Sequence, residues 1–521
     1  MQKLKIKTPH NNDTLNLVLD TLEINKQALV FVNSKASAEK TAEDIAKKIK
    51  EVSCADLAEQ VMHALSKHTS QCTRLSKCIE KGIAFHHAGL TSSQREIIED
   101  NFRSGQVKVI CCTPTLAFGL DLPAYRAILK DLKRFGKMGM QYIPVLEYLQ
   151  ICGRAGRPGK ETIGEAISIA TSDSQKDEIY NRFILGEPED IFSKLAVEPV
   201  LRTYILSLIA TGFVSSKKSI MDFFSTTFWA HQFKDMNRLG FIIDKMLDLL
   251  EEFEFIKISE KSSDFVSASE VSDRKISATQ LGLKVAQLYI DPVTAQKIIE
   301  GLQRAAKEKP AEFVYVHLAC SCLEMRPLLA VKVREFEDIS QRCSAISDNL
   351  LVEEPSIYDD EYETFLNSAK TAFFMYEWMD EKDEEFLLEG YDIRPGEIKV
   401  KLDLADWLLY SAEELARILN FMPILKDISK TRYRIKYGVK EELFALLRVE
   451  GIGRIRARKL FNNGVKDVGD LKSVDIMTLS QLLGKQIAIN VKKAVGENVD
   501  KIPVKENKRK GQINLMDFDE K

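Results

Sequence analysis

The chain has 521 residues, 45% of them apolar and 29% charged, with a formal net charge of −3; that length exceeds what one hydrophobic core serves, so several domains are expected. No apolar run approaches the roughly 18 to 20 residues of a membrane span, and the opening MQKLKIKTPHNND lacks the apolar centre of a signal peptide, so no membrane association is expected. The nine cysteines are scattered without a CxxC pair, which argues against a zinc or other metal site and for free buried thiols in a reducing compartment.

In chain order, the first strand-like run is ALVFVNS after Gln27, followed by a helical stretch SAEKTAEDIAKKI. Next come GIAFHHAGL, a helix over SSQREIIEDNFRSG and the strand VKVICCT. This βαβ rhythm predicts a parallel sheet covered by helices, with ligands beyond the strand C-termini. The loops expected there are NSKAS, HHAGL, TPTLAFGLDLPA and GRAGRP, whose small residues let backbone N–H groups approach a phosphate. His86 and His87 are neighbours on a strand and so face opposite ways, which does not make a metal pair.

These residues, in this order, resemble the second motor domain of a superfamily-2 helicase. TPTLAFGLDLPAYR is similar to motif V, QICGRAGRP (Gln150 to Pro158) to motif VI, and LVFVNSKASAEKTA and FHHAGL to motifs IV and IVa. The form EYLQICGRAGRP resembles further the Ski-two-like branch and its archaeal DNA repair helicases. The resemblance implies that Arg157 is an arginine finger on the γ-phosphate of ATP, with Arg154 beside it and Gln150 linking that site to nucleic acid. It implies that Thr113 and Thr115 hold strand phosphates, and that Gly119 and Asp121 lie near the ribose, where the archaeal pattern more often has Asn for Asp121. The interval LKRFGKMGMQYIPV implies a strand-separating β-hairpin, turned at Gly136 and Gly139, with Phe135, Met138, Met140 and Tyr142 as the surface against an end base pair; an ordinary surface hairpin is the alternative.

A complete motor also needs GxxxxGK[ST] and an acidic strand end for magnesium. Gly-Lys occurs at 136–137, 159–160 and 484–485, never followed by Ser or Thr, and DEEF at 383–386 has no apolar strand before it. The expectation is a chain that begins between the two lobes and neither binds ATP with Mg2+ productively nor hydrolyses it unless a first motor lobe is supplied in cis or in trans. It could be a truncated product, a piece of a split gene or a stand-alone protein.

The fold class expected is multidomain α/β plus α. A RecA-like lobe spans 1–189, and a winged helix spans 190–289, its wing in FEFIKISEKSSDFVSASEVSDRKISATQLG. The family's helical ratchet bundle spans 290–435, and a helix-hairpin-helix module 436–498. A basic tail follows over 499–521. In the bundle, Trp378 and Trp407 are candidate platforms for stacking single-stranded DNA, although a tryptophan at helical spacing is more often core. In LLRVEGIGRIRARKLFNNGV, Gly451 and Gly453 let the backbone approach a phosphate at a helix N-terminus, and Arg454, Arg456 and Arg458 follow as phosphate ligands, joined by Lys459. LLGKQIA at 482–488 echoes the same hairpin. Gln512, Leu515 and Phe518 resemble a sliding-clamp box lacking its second aromatic, with a disordered tail as the alternative.

Charge is divided along the chain: residues 351–414 hold 19 Asp/Glu against 5 Lys/Arg, and residues 430–510 hold 20 Lys/Arg against 9 Asp/Glu. A basic module beside an acidic one suggests a polyanion partner at the C-terminal end. The leading expectation is the C-terminal portion of an ATP-dependent 3′–5′ DNA helicase of the archaeal repair type, acting on single-stranded and forked DNA, cytoplasmic and nucleoid-associated. A non-catalytic DNA-binding chain and an RNA-remodelling relative are the alternatives.

Overall fold

The computed structural model describes residues 6–49, 54–65, 68–136, 139–156, 163–195, 197–259, 274–307 and 310–497. Arg157, Met138 and the segment containing Gln512, Leu515 and Phe518 lie outside the described residues.

Helix α1 (Asp13–Glu23) leads into β1 (Ala28–Phe31), α2 (Lys35–Ala46), α3 (Ala55–His63), α4 (Ser70–Ile79), β2 (Ile83–His86), α5 (Ser92–Ser104), β3 (Val109–Cys112) and β4 (Arg126–Leu129). A two-stranded hairpin, β5 (Lys133–Gly136) and β6 (Gly139–Tyr142), precedes α6 (Val145–Cys152), β7 (Glu165–Ser168) and α7 (Asp173–Ile179). The sheet order is β2-β3-β1-β4-β7 and every pairing is parallel. Every residue of β1 to β4 is buried, the mark of a sheet covered on both faces, which explains why these strands read as continuous apolar runs. Local signals fix the helix ends. Thr91 and Gln94 close a capping box on α5, and Gly105 ends it with φ +86.

Helices α8 (Glu198–Ala210), α9 (Lys217–Ser225), α10 (Phe228–Phe233) and α11 (Met236–Glu252) precede the antiparallel pair β8 (Ile256–Ile258) and β9 (Ile276–Ala278), then α12 (Gln280–Leu288). The bundle follows as α13 (Pro292–Lys307), α14 (Glu312–Cys320), α15 (Phe336–Ser344), α16 (Glu361–Met379), α17 (Glu384–Tyr391), α18 (Pro395–Ile418) and α19 (Met422–Tyr437). One apolar core runs from Leu201 to Ile435, so no break in packing falls at residue 290. Arg202 of α8 donates from Nε and Nη2 to the two carboxylate oxygens of Asp291 at 2.7 and 2.8 Å, clamping the first group of helices to the second.

A separate core, Val439 to Val495, holds α20 (Phe444–Leu447), α21 (Arg454–Asn462), α22 (Val468–Ser473), α23 (Ile476–Leu483) and α24 (Lys485–Ala494). Two helical pairs in it are hinged on left-handed glycines: Gly451 (φ +83) between α20 and α21, and Gly484 (φ +88) between α23 and α24. Among the described residues no helix is long and apolar enough to cross a membrane.

Candidate nucleotide and nucleic-acid interface

The loops after β3 and after α6 are stitched together. The amide of Ala124 donates to the carbonyl of Arg154 at 2.9 Å, and the amide of Gly156 donates to the carbonyl of Ala124 at 2.7 Å. Gly156 takes φ +94, and a Cβ on Gly164 would stand 2.2 Å from the Gly156 nitrogen, so the backbones meet where only glycine fits. Arg154 does not project freely. Its Nε donates to the carbonyl of Ala117 at 3.2 Å, and Nη2 binds the same oxygen. The guanidinium therefore ties motif VI to the short helix Pro114–Ala117 of motif V.

Thr113 and Thr115 bond each other through their hydroxyls at 2.9 Å; Thr115 is exposed and Thr113 half-buried. Gly119 (φ +76) and Asp121 are exposed, and nothing lies within 4 Å of a Cβ placed on Gly119. Gln150 is exposed on α6.

The hairpin stands beside these loops. Phe135 and Met140 are a cross-strand pair, 82% and 56% exposed, so its outer half presents apolar surface. Its base is braced. Arg134 pairs with the buried Glu147 of α6 at 2.9 Å. Tyr142 is anchored there too: its hydroxyl donates to Glu178 at 2.7 Å, and Lys133 lies 4.2 Å from its ring centroid. Tyr142 therefore supports the hairpin and does not belong to its outer surface with Phe135.

The two bundle tryptophans differ. Trp378 is half-buried, donates its indole N–H to the carbonyl of Ile435 at 2.9 Å, and has one face of its ring covered by Arg454 at 4.1 Å. Trp407 is half-buried on the rim of the core, its N–H bonded to the carbonyl of Leu288 at 3.1 Å.

The arginine trio of the hairpin module also divides. Arg454, besides stacking on Trp378, donates to the carbonyl of Lys382. Arg458 makes two 2.6 Å bonds to Glu381 and one ion pair of 2.8 Å to Glu442. Those bonds raise its pKa, with the Glu381 hydrogen bond the main cause. Both side chains are turned inward, contrary to the expectation that all three arginines face a phosphate. Only Arg456 projects, bonded to the carbonyl of Gly451 at 2.7 Å, with Lys459 exposed nearby. The reason is helical: positions four apart share a face, and the position between them points away. Gly451 and Gly453 are exposed, with nothing within 4 Å of a Cβ on either.

One cluster was not foreseen. Glu39 of α2 is 3% exposed and accepts hydrogen bonds from Gln71 (3.1 Å), Arg74 (2.7 Å), His87 (3.1 Å) and Arg394 (3.1 Å). Burial raises its pKa, but the bond from His87 and the charge of Arg394 outweigh that and hold the carboxyl well below the usual range. The amide of Gly89 donates to Nδ1 of His87 at 3.1 Å, which leaves Nε2 carrying the proton toward Glu39. His86 bonds Glu99 on the other side of its strand at 2.9 Å. Among the described residues no group of three or more His, Cys, Asp or Glu side chains could hold a metal.

Residues 11–159 match the family described as helicase conserved C-terminal domain, and residues 313–438 match archaeal helicase, domain 4. The ATP-dependent DNA helicase Hel308 of Methanocella arvoryzae is 36% identical over 99% of this chain and 70% of its own length. Hel308 of Methanococcus vannielii is 36% identical over 92% of the chain and 68% of itself. Hel308 of Pyrococcus horikoshii is 35% identical over 98% of the chain and 69% of itself.

Proposed function

The chain belongs to the Hel308 family of DNA helicases, and from that premise we propose that it supplies the strand-separating and strand-holding part of an ATP-driven 3′–5′ motor working on forked DNA. The observation that carries the reading is the stitched pair of loops, with the Arg134–Glu147 pair joining α6 to a hairpin whose outer face is bare and apolar. Arg157 acts as the arginine finger, and Arg154 sets the loop that carries it by holding the Ala117 carbonyl. ATP with its magnesium supplies the free energy of phosphoryl transfer. Gly119 and Asp121 are the exposed residues that would face it, the open space over Gly119 fits a polyphosphate, and Arg157 is assigned to it by its place in the motif. The phosphate-cradling wall comes from a first motor lobe in cis or in trans.

On the DNA side, Thr113 and Thr115 offer hydroxyls to strand phosphates, and Phe135 with Met140 stacks against the end base pair. Trp407 lines the strand's path, and the Gly451–Gly453 turn with Arg456 holds a phosphate without reading sequence. The sliding clamp is proposed as a partner of the Gln512–Phe518 box. ATP turnover and fork opening by the chain supplied with a first motor lobe test the reading. Arg157→Ala is expected to abolish turnover while DNA binding persists. Turnover surviving Arg157→Ala refutes the assignment of the finger.

A further inference from the structure

The long helix α18 begins in the motor lobe's territory. Its N-cap residue Arg394 reaches Glu39 across 355 residues of sequence at 3.1 Å, the guanidinium and the carboxylate both largely buried. Two residues on, the amide of Gly396 donates to the carbonyl of Gly89 at 3.0 Å. Glu397 completes the contact, pairing with Lys35 of α2 and capping the amide of Arg394 at 3.2 Å.

The fit is close on both sides. A Cβ on Gly396 would stand 2.3 Å from the Leu90 carbonyl and 2.4 Å from that of Ala88, and one on Gly89 would stand 2.4 Å from Cδ of Arg394. The other donors to Glu39, namely Gln71, Arg74 and His87, all belong to the lobe, so Arg394 is the one member of the cluster from the bundle. Next to the contact lies a cavity of about 650 Å³ between lobe and helix, lined among others by Ala88, Arg95, Gly396, Lys399 and Asp403.

We propose that Arg394 is a positioning residue: seated on Glu39 and keyed by the Gly89–Gly396 contact, it locks α18 to the motor lobe, so that helix and lobe move as one body in each ATP-driven closure. This rests on the motor reading above. Parting helix from lobe would take one of four hydrogen-bond donors from the buried Glu39 carboxylate and leave the largely buried Arg394 guanidinium without its carboxylate, which resists separation. The joint holds the width of the cavity constant, so lobe movement is delivered to whatever strand lies along α18. Among the described residues Arg394 bonds Glu39 and Glu397 and not the hairpin, and its role is transmission.

The test uses the full chain supplied with the first motor lobe, comparing Arg394→Ala, Arg394→Lys and Gly396→Ala. Gly396→Ala matters because alanine favours a helix by up to about 1 kcal/mol, so it strengthens α18 on its own while driving it off the Ala88 and Leu90 carbonyls. Base pairs opened per ATP are expected to fall about fivefold or more in Arg394→Ala and Gly396→Ala, with DNA-stimulated turnover retained and Arg394→Lys between. A purely structural role lowers turnover and opening together, and that result overturns the proposal, as does unchanged opening per ATP in both variants. Amide exchange at Gly396 and Leu90 supplies a second readout that needs no ATP. Faster exchange in both variants supports the joint, and unchanged exchange overturns it. Absence of turnover by the unaltered chain with the lobe counts against the motor reading alone, since the exchange result still decides the joint.

Discussion

Arg458 and Arg456 sit two residues apart, and the structure assigns them opposite work. Removing Arg458 strands Glu381, 13% exposed, with the Lys440 amide as its remaining hydrogen-bond donor at 3.0 Å. Losing one partner of such a bidentate, largely buried pair costs about 2–4 kcal/mol, which is a roughly 30- to 700-fold rise in local opening. Amide exchange along α21 reads that directly. Arg456→Ala, by contrast, is expected to leave exchange unchanged. It should lower the salt dependence of single-stranded DNA binding by about 0.7 in log–log slope, the share of one phosphate contact. Acid adds a sign. Burial raises the Glu381 carboxyl, but bonds from Arg458 and the Lys440 amide outweigh it and leave the pKa lowered. The stabilisation is therefore complete above the unfolded value of about 4.3 and disappears as pH falls through the folded one. If Arg458→Ala cuts the salt slope while α21 exchange stays at its original rate, the inward assignment of Arg458 is wrong.

Phe135→Ala with Met140→Ala is expected to reduce fork opening while DNA-stimulated ATP turnover persists in the complete motor; turnover and opening falling in step would refute the hairpin's role. Gly164→Ala forces a Cβ to within 2.2 Å of the Gly156 nitrogen, so the motif VI loop must shift and turnover should drop at unchanged helical content, measured by circular dichroism. Burial keeps the pKa of His87 below its ordinary value despite Glu39, with Arg394 and Lys35 also opposing its charge. A buried neutral histidine means that the unfolded chain takes up the proton first. The lobe should thus lose up to about 1.4 kcal/mol per pH unit below about 6.5, measured by urea unfolding, and His87→Gln should flatten that slope.

Much of the lobe was legible because its signals are local. Continuous apolar runs marked the buried strands, and the helix expected over SSQREIIEDNFRSG is α5, which Thr91 and Gln94 cap and Gly105 ends. The arginine trio shows where such reading stops. Sequence gives the sign of a charge, and the direction of its side chain depends on which helix face meets a neighbour, although the four-residue spacing of Arg454 and Arg458 was itself a clue to a shared face. The Glu39 cluster had no local signal at all, since Arg394 lies 355 positions away.

The same reasoning changes the meaning of the charge blocks. An acidic stretch beside a basic one reads as a repelled surface and an attracted one, yet part of each is consumed by the other. Arg458 pairs with Glu381, Arg434 with Asp380, and Arg432 with Asp406 and Glu413. The Arg432 and Arg434 pairs hold α19 within the bundle and the Arg458 pair fastens α21 to it, so the acidic elbow after α16 is a socket for the basic module. What remains exposed to a polyanion among the described residues at this end is a smaller set that includes Lys440, Arg448, Arg456, Lys459, Lys466, Lys472 and Lys485. Seven phosphate contacts give a single-strand salt slope of about 5. The 20 cations counted over residues 430–510 would give a far steeper one. The slope of the module's contribution therefore separates a docked hairpin from one swung free, because only release from the socket adds Arg454 and Arg458 to the count.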